Sequence, residues 1–353
     1  MESKNRYCAF FRVDANKIIG SGHLVRCRLL AGKLKSMNVK SVFVFEDIPE
    51  GFITQLSAEN FDLYKLKNTL DETNELISLV KNSGCEKSII ITDSDKKLFY
   101  TKEFQLKVRE SGIKLMTITF FADAHFYSDI ILNQNIMAPE LTYSTESYTE
   151  KLLGTEYVIL DPRFAKLRNI AKPVWALKKN VVLISFGGAD KPDRTSLVYE
   201  SLQEFKDKID KIIIVLGALY QHENKIRKLA SESLIETGIY QNTNEMPQLM
   251  IEAKYAFTSG GLTAWELAVT RTLNIIIAGS ERETLTGEYL GKKGFSYYLG
   301  NVNDIKPENI KYAFEEILIN EEKNKAMVEK LNSVVNVNGI EKVTDKILEI
   351  LER

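Results

Sequence analysis

Three short stretches of this 353-residue chain set glycines beside a side chain able to do chemistry. The first is Gly20-Ser21-Gly22-His23, inside the run IGSGHLVRCRLLA from Ile19 to Ala31. It follows an apolar run, Tyr7–Val13, and precedes a helical pattern. Glycines permit a tight turn and close backbone approach. A helix N-terminus adds free N–H groups and partial positive charge. Histidine supplies a base that works near neutral pH. Taken alone, the stretch is equally an ordinary strand-to-helix turn carrying a surface histidine, because short glycine motifs are common.

The second stretch is ISFGGAD, Ile184–Asp190, where an apolar run ends in Gly187, Gly188, Ala189 and Asp190. Backbone N–H groups there suit a phosphate at a helix N-terminus. The pattern is neither a Walker loop nor a dinucleotide fingerprint, and a plain strand-to-helix turn is the alternative. The third runs from Thr258 to Gly279, where Ser259, Gly260, Gly261 and Thr263 open a helix that carries Glu266. A carboxylate on the first turns of such a helix can accept both hydroxyls of a ribose. The alternative is an acid favourably placed near a helix N-terminus.

The elements around these stretches give them a common place. Strands are predicted over Tyr7–Val13, Ser41–Phe45, Phe61–Leu66, Ser88–Thr92, Lys114–Thr119 and Asp129–Leu132, with helical patterns between them. Tyr157–Lys179, broken by Pro162 and Pro173, reads as a linker. Alternation resumes with strands over Val181–Phe186, Lys211–Leu216, Ile235–Tyr240, Tyr255–Thr258 and Asn274–Ala278. Short apolar strands alternating with helices imply parallel sheets covered on both faces. The expected fold is α/β: two doubly wound, Rossmann-like domains facing a cleft, over residues 1–165 and 166–335. The final helix, within 336–353, is expected to cross back to the first domain. In such sheets ligands bind beyond the carboxyl ends of the strands, where all three glycine stretches fall.

Composition narrows the function classes. Hydrophobic residues at 44% and charged residues at 27% fit a globular protein with packed cores. A net charge of −1 gives no reason to expect a nucleic-acid or membrane-surface binder. No apolar run approaches the ~20 residues of a membrane span, and the N-terminus lacks a leader pattern, so a cytoplasmic setting is expected. Cys8, Cys27 and Cys85 are scattered, without CxxC, so neither a zinc site nor a disulfide framework is expected. Cys8 and Cys27 read as small core residues.

The combination of GSGHLVRC, FGGAD and SGGLTAWE resembles the hydrolase family of pseudaminic acid biosynthesis, which removes UDP from UDP-2,4-diacetamido-2,4,6-trideoxy-β-L-altropyranose. The resemblance runs from about Phe11 to about Gly294. It implies a GT-B-like architecture, shared with the lipid II N-acetylglucosaminyltransferase. It implies UDP bound by the C-terminal half near Gly187, Gly188, Gly261 and Glu266, with backbone around Asn242–Met246, including Asn244 and Met246, holding uracil. It further implies His23 as the base facing the sugar, with Asp14 and Arg26 on matching motif positions, Asp14 as a second catalytic group and Arg26, with Gly20, Ser21 and Gly22, in substrate binding; Arg26 is equally a structural residue of the first helix. No metal or cofactor is implied. The partner is a UDP-sugar. The expected reaction is its hydrolysis at the anomeric carbon. The alternatives are a glycosyltransferase of the same fold and a non-catalytic nucleotide-sugar-binding partner.

The chain departs from that family on the sugar side. Asp93-Ser94-Asp95 stands where Asp-x-Tyr is usual, and Phe120-Phe121 replaces a pair of aspartates. Asp161 replaces an arginine, and Arg282-Glu283 replaces Asn-Gln. Asn133, within Asp129–Asn135, keeps the family pattern. Asp95 and Asp123 are therefore candidates to restore carboxylate function, Asp95 as a catalytic group and Asp123, with Asn133, in sugar binding. Either acid is equally an exposed loop residue. His125 is a candidate second histidine or a solvated one.

Overall fold

The computed structural model describes residues 6–16, 19–67, 69–170 and 174–353. The chain divides into two compact units: unit 1 holds residues up to Ile159 together with Asn338–Arg353, and unit 2 holds Leu160–Val337.

In unit 1, apolar β-rich runs form β1 (Tyr7–Val13), β2 (Val39–Phe45), β3 (Asp62–Lys65), β4 (Lys87–Asp93), β5 (Lys114–Ile118), β6 (His125–Phe126), β7 (Ile130–Asn133), β8 (Ser144–Thr145) and β9 (Glu150–Leu153). The helices between them are α1 (Gly22–Ser36), α2 (Glu50–Ala58), α3 (Glu72–Lys81) and α4 (Lys102–Glu110). Seven strands make one sheet in the order β3-β2-β1-β4-β5-β7-β9, every neighbour parallel. β6 and β8 pair separately.

Unit 2 begins with α5 (Pro162–Ile170) and runs through β10 (Val181–Ser185), α6 (Arg194–Leu202), β11 (Lys211–Leu216), α7 (Glu223–Ser231), β12 (Thr237–Gln241) and α8 (Met246–Glu252). It continues with β13 (Tyr255–Thr258), α9 (Thr263–Thr270), β14 (Leu273–Ala278), α10 (Glu281–Lys292), β15 (Tyr297–Asn301), α11 (Pro307–Ile319) and α12 (Glu321–Ser333). Its six-stranded sheet has the order β12-β11-β10-β13-β14-β15, again all parallel.

Both orders reverse direction at one point, between β1 and β4 and between β10 and β13. A crevice opens at the carboxyl edge of such a reversal, because the two flanking connections leave on opposite sides. GSGH follows β1 and FGGAD follows β10, while Asp93 closes β4 and SGG follows β13.

Alternation along β1 sorts the core. Tyr7, Ala9, Phe11 and Val13 pack on the side of α1 with Leu24, Cys27 and Leu34, whereas Cys8 and Phe10 face Phe104 and Val108 of α4. The last helix, α13 (Gly339–Glu352), belongs to unit 1. Its Ile340, Val343, Ile347 and Leu351 recur at helical spacing and enter the core on the α1 side, and Glu341 meets Lys33 of α1 at 3.0 Å.

Several strands were not anticipated. β6 and β8 are two residues long and carry no periodicity. β9 (EKLL) is an edge strand of mixed polarity, and β15 (YYLGN) contains Gly300 and pairs through a register shift at Ile276/Ile277. The absence of a disulfide is also corrected: Cys8 and Cys85 are bonded, with Cα atoms 6.1 Å apart. Register explains it, since β1 pairs with β4 through Cys8↔Ser88 and so brings the turn before β4 level with Cys8. Spacing along the chain does not reveal this. Cys27 is free and buried, as expected. Among the described residues, no helix is long and apolar enough to cross a membrane.

Candidate active site

His23 and Asp93 meet at the reversal point of unit 1. Gly20 takes φ +80°, which favours glycine, and its N–H closes the loop onto the Asn16 carbonyl at 2.7 Å. No side chain caps the start of α1 at Ser21. His23, Arg26 and Cys27 lie on one face of that helix at i, i+3 and i+4, and all three turn toward Asp93. His23 Nδ1 is 2.6 Å from Asp93 Oδ1. Arg26 donates from Nε to Oδ2 at 2.8 Å and from Nη2 to Oδ1 at 2.6 Å, and Cys27 Sγ lies 3.6 Å from Oδ2.

The Asp93 side chain is 1% exposed and that of His23 15%, so the carboxylate is sealed and the ring is not. Burial alone would raise the Asp93 carboxyl, but the charges and hydrogen bonds of Arg26 and His23 overcome it and hold Asp93 well below the usual carboxylate range. An ionised Asp93 accepts from Nδ1–H and so fixes the imidazole tautomer with Nε2 as the basic nitrogen. A fixed ring with its basic nitrogen free of Asp93 is what a general base requires. Burial pushes the Cys27 thiol up, with Asp93 adding to the effect, so it stays protonated and inert.

The other expected groups of unit 1 fall into different roles. Asp14 is buried. Its Oδ1 accepts from the N–H groups of Glu46 at 2.7 Å and Asp47 at 3.1 Å, and its Oδ2 accepts from Arg12 Nη1 at 2.7 Å. The carboxylate therefore braces the turn after β2. Arg26, expected in substrate binding, spends Nε and Nη2 on Asp93 and is a positioning residue. Asn133, expected in sugar binding, is held by the chain itself. It is fully buried, donates to the Phe120 carbonyl and to Tyr143 Oη, both at 2.8 Å, and accepts from Asn135 N at 3.1 Å and Nδ2 at 2.7 Å. With two donors and two lone pairs used, the amide has nothing left for a ligand. Asp95 and Asp123 are exposed, as are Gly22 and, in part, Ser21. His125 has both ring nitrogens engaged, by Ser144 Oγ at 2.7 Å and Glu146 Oε1 at 3.0 Å.

Asp93 is the residue that sequence reading missed as a site member, although it stood in the quoted Asp93-Ser94-Asp95. The signal in the sequence was an acid directly after the apolar run Ser88–Thr92, at the carboxyl edge where ligands bind.

In unit 2 the two glycine stretches diverge. Gly187 has φ +78°, and a Cβ on Gly217 would lie 2.3 Å from the carbonyl oxygens of Gly187 and Gly188. Those glycines therefore serve a close turn-to-turn approach. The start of α6 is capped from within the chain. Asp190 accepts from Arg194 N at 3.2 Å, Arg194 Nε at 2.9 Å, Thr195 N at 2.8 Å and Thr195 Oγ1 at 2.7 Å. Asp193 accepts from Ser196 N at 3.4 Å. These carboxylates accept from N–H groups at the start of α6, the groups expected to meet a phosphate, and Asp190 acts as a helix cap. Arg194 reaches on to Glu283 Oε2 at 2.8 Å and the Ile277 carbonyl at 3.0 Å. Glu283, in the place of an expected amide, also accepts from Gly279 N at 2.6 Å.

The start of α9 is different. Ser259 is buried, Gly260 has φ +80° with a Cβ position 3.1 Å from Ile276, and Gly261 is exposed. No side chain caps this helix, and Thr263 is its first residue. Glu266 lies on its first turn. Burial first, and the charge of Asp161 second, push Glu266 up to about 7, with Arg163 opposing. Arg163 donates to Asp161 Oδ2 at 2.7 Å and hydrogen-bonds the Asn244 carbonyl, tying α5 to the loop before α8, where Met246 is half-buried. Among the described residues, no group of three or more His, Cys, Asp or Glu side chains is disposed to hold a metal ion.

Comparison with known proteins defines the class of fold. No family model matches the chain. It is 28% identical over 267 residues to an uncharacterized protein of Methanocaldococcus jannaschii, a match covering 72% of this chain and 52% of that protein. The chain thus spans about half the length of that relative. It is 22% identical over 356 residues to the spore coat polysaccharide biosynthesis protein SpsG of Bacillus subtilis, covering 95% and 96% of the two chains. Among solved structures it is similar to MurG of Acinetobacter baumannii, with TM-score 0.69, 14% identity and coverage of 98% and 99%. It is similar also to Anabaena HepE, solved with UDP and glucose, with TM-score 0.60, 12% identity and the same coverage. These likenesses establish an α/β fold of the GT-B class built from two parallel-sheet units.

Proposed function

We propose that the chain is a UDP-sugar-dependent enzyme of polysaccharide biosynthesis that breaks the bond between the anomeric carbon and the diphosphate, with His23 as base. The observation that carries this reading is His23 held by Asp93 at the reversal point of a GT-B sheet. His23 Nε2 takes the proton of an attacking hydroxyl. The hydroxyl oxygen bonds the anomeric carbon, the bond to the diphosphate oxygen breaks, and UDP leaves with that electron pair. A positioned base contributes roughly 10²- to 10⁴-fold.

Unit 2 is assigned the nucleotide. Ser259, Gly260, Gly261 and Thr263 offer the uncapped start of α9 to the diphosphate, where helix N–H groups stabilise the leaving charge. Glu266 accepts the ribose hydroxyls. Backbone at Asn244 and Met246, steadied by Arg163, holds the base. HepE, bound to UDP and glucose in its crystal structure, supports a nucleotide-sugar ligand for this fold.

Transfer to an acceptor hydroxyl is the reading best supported. The relatives include SpsG, named for polysaccharide biosynthesis, and the glycosyltransferase CalG4 has the same fold. Fold alone does not select a reaction, since UDP-GlcNAc 2-epimerase of Neisseria meningitidis shares it too. Hydrolysis is kept as a second reading because GSGHLVRC, the motif carrying His23, resembles that of the hydrolase family. The deciding experiment incubates the purified chain with a panel of UDP-sugars, with and without saccharide acceptors, and follows UDP release and product mass. Transfer predicts an acceptor-dependent product. Hydrolysis predicts full UDP release in water, and intact UDP-sugars under every condition overturn both.

A further inference from the structure

Between β1 and His23 the chain is tied to the turn after β2, and the last of these ties also grips the start of α1. Asp14 accepts from the N–H groups of Glu46 and Asp47, and Ala15 N donates to the Asp47 carbonyl at 3.0 Å. Asn16 Nδ2 then donates to Asp47 Oδ2 at 3.0 Å. On its other side, Asn16 Oδ1 accepts from Ile19 N at 2.9 Å and the Asn16 carbonyl accepts from Gly20 N at 2.7 Å. Asn16 and Gly20 thereby form an isolated antiparallel bridge, and α1 opens two residues after Gly20.

The direction in which α1 sets out depends on these contacts. Its start has no side-chain cap at Ser21, and uncapped helix ends fray. The body of the helix is anchored separately, because Leu24, Cys27 and Leu30 enter the core. His23 is the second residue of α1, ahead of that anchored stretch. Its ring meets Asp93 Oδ1 at 2.6 Å, and a hydrogen bond weakens steeply as its angle strays.

We infer that Asn16 is a positioning residue for His23: its side-chain amide pins the first turn of α1 to the turn after β2, so that the imidazole is delivered to Asp93 in reacting geometry. Asn16 suits the task because one amide both donates and accepts, donating to Asp47 and accepting from Ile19. The inference rests on the reading of His23 as base and adds the group that aims it.

The test compares Asn16→Ala, Asn16→Asp and the double variant Asn16→Asp/Asp47→Asn with wild type. Alanine removes both of these side-chain bonds. Aspartate keeps an acceptor for Ile19 N but sets a carboxylate against that of Asp47, and the double variant restores the contact with the donor on the other side. Two readouts are taken: turnover of a UDP-sugar, and the His23 tautomer by long-range proton–nitrogen correlation NMR of the ¹⁵N-labelled chain on the alkaline side of imidazole titration, with the resonance assigned by its loss in His23→Ala. Wild type is expected in the Nδ1–H tautomer, held by Asp93. Both single variants should shift toward the Nε2–H tautomer and lose about 10²-fold in turnover, the order of a misplaced catalytic group, with the melting temperature changed by no more than a few degrees. The double variant should recover both. A wild-type ring in the Nε2–H tautomer, an unshifted tautomer in Asn16→Ala, or a double variant no better than Asn16→Asp overturns the positioning role, as does unchanged turnover in Asn16→Ala when His23→Ala has lost it. If Asn16→Ala does not fold, Asn16→Asp against the double variant decides. Full turnover in His23→Ala overturns the base reading instead, and the tautomer still decides the role of Asn16, so the two failures are distinct.

Discussion

His23 Nδ1, on α1, stands 2.6 Å from Oδ1 of Asp93, which closes β4 70 positions further along the chain. The carboxylate is sealed, held by Arg26, and leaves Nε2 of the ring to act. This arrangement predicts a division of labour. His23→Ala should lower turnover of a UDP-sugar by about 10²- to 10⁴-fold, with UDP affinity and melting temperature close to wild type. Asp93→Asn should also lower turnover, but it additionally leaves the Arg26 charge without its partner, a loss of about 3–5 kcal/mol for a buried pair. Rate assays combined with thermal unfolding separate the two: an Asp93→Asn protein as stable as wild type would contradict the sealed ion pair.

If Glu266 takes the ribose role proposed for it, it sets the pH dependence of nucleotide binding. Its carboxyl titrates at about 7, and ribose hydroxyls are best accepted by the ionised form. UDP affinity should therefore weaken as pH falls below about 7, approaching tenfold per unit, and Glu266→Gln should remove this component while weakening binding at pH 8. The stability effect has the opposite sign. A carboxyl raised above its unfolded value stabilises at low pH and loses that contribution as pH rises through 7, so Glu266→Gln should raise the melting temperature at pH 8 and leave it unchanged at pH 4. Titration calorimetry and melts across pH 4–8 check both halves.

Asp190 should behave as a cap. Its replacement by alanine removes four hydrogen bonds at the start of α6, two of them from Arg194. A loss of about 1–3 kcal/mol is expected, from the cap and from a buried group left short of a partner. UDP affinity measured well below the melting temperature should stay at the wild-type value. A large drop in affinity without loss of stability would return Asp190 to the phosphate.

Lys178 gives a second pH signature, in unit 2. Its ammonium donates to the carbonyls of Ala253 and Thr270 at 2.7 and 2.9 Å and to Thr272 Oγ1 at 3.0 Å. Burial lowers it to about 7. A lysine lowered in the folded state contributes stability that grows as pH rises from about 7 toward its unfolded value near 10. The wild type should gain melting temperature between pH 7 and 9 relative to Lys178→Met. Parallel melting curves for the two proteins over that range would refute the assignment.

The sequence by itself determined the repeating strand–helix alternation, the two parallel sheets it implies and the carboxyl-edge position of GSGH, FGGAD and SGG, because apolar periodicity and glycine placement are local properties. The tertiary structure decided what those residues face. Asp93 joins His23 only because β4 lies beside β1, and Cys85 reaches Cys8 through the same pairing. FGGAD and SGG look alike as strings, yet one helix start is capped by Asp190 and Asp193 and the other has no side-chain cap, a difference set by carboxylate direction at the turn. Asn133 matched a motif, but burial and saturated hydrogen bonding make it a brace beneath Phe120. Motifs record which groups are available; the strand order and the hydrogen bonds already formed fix which of them are left to meet a ligand.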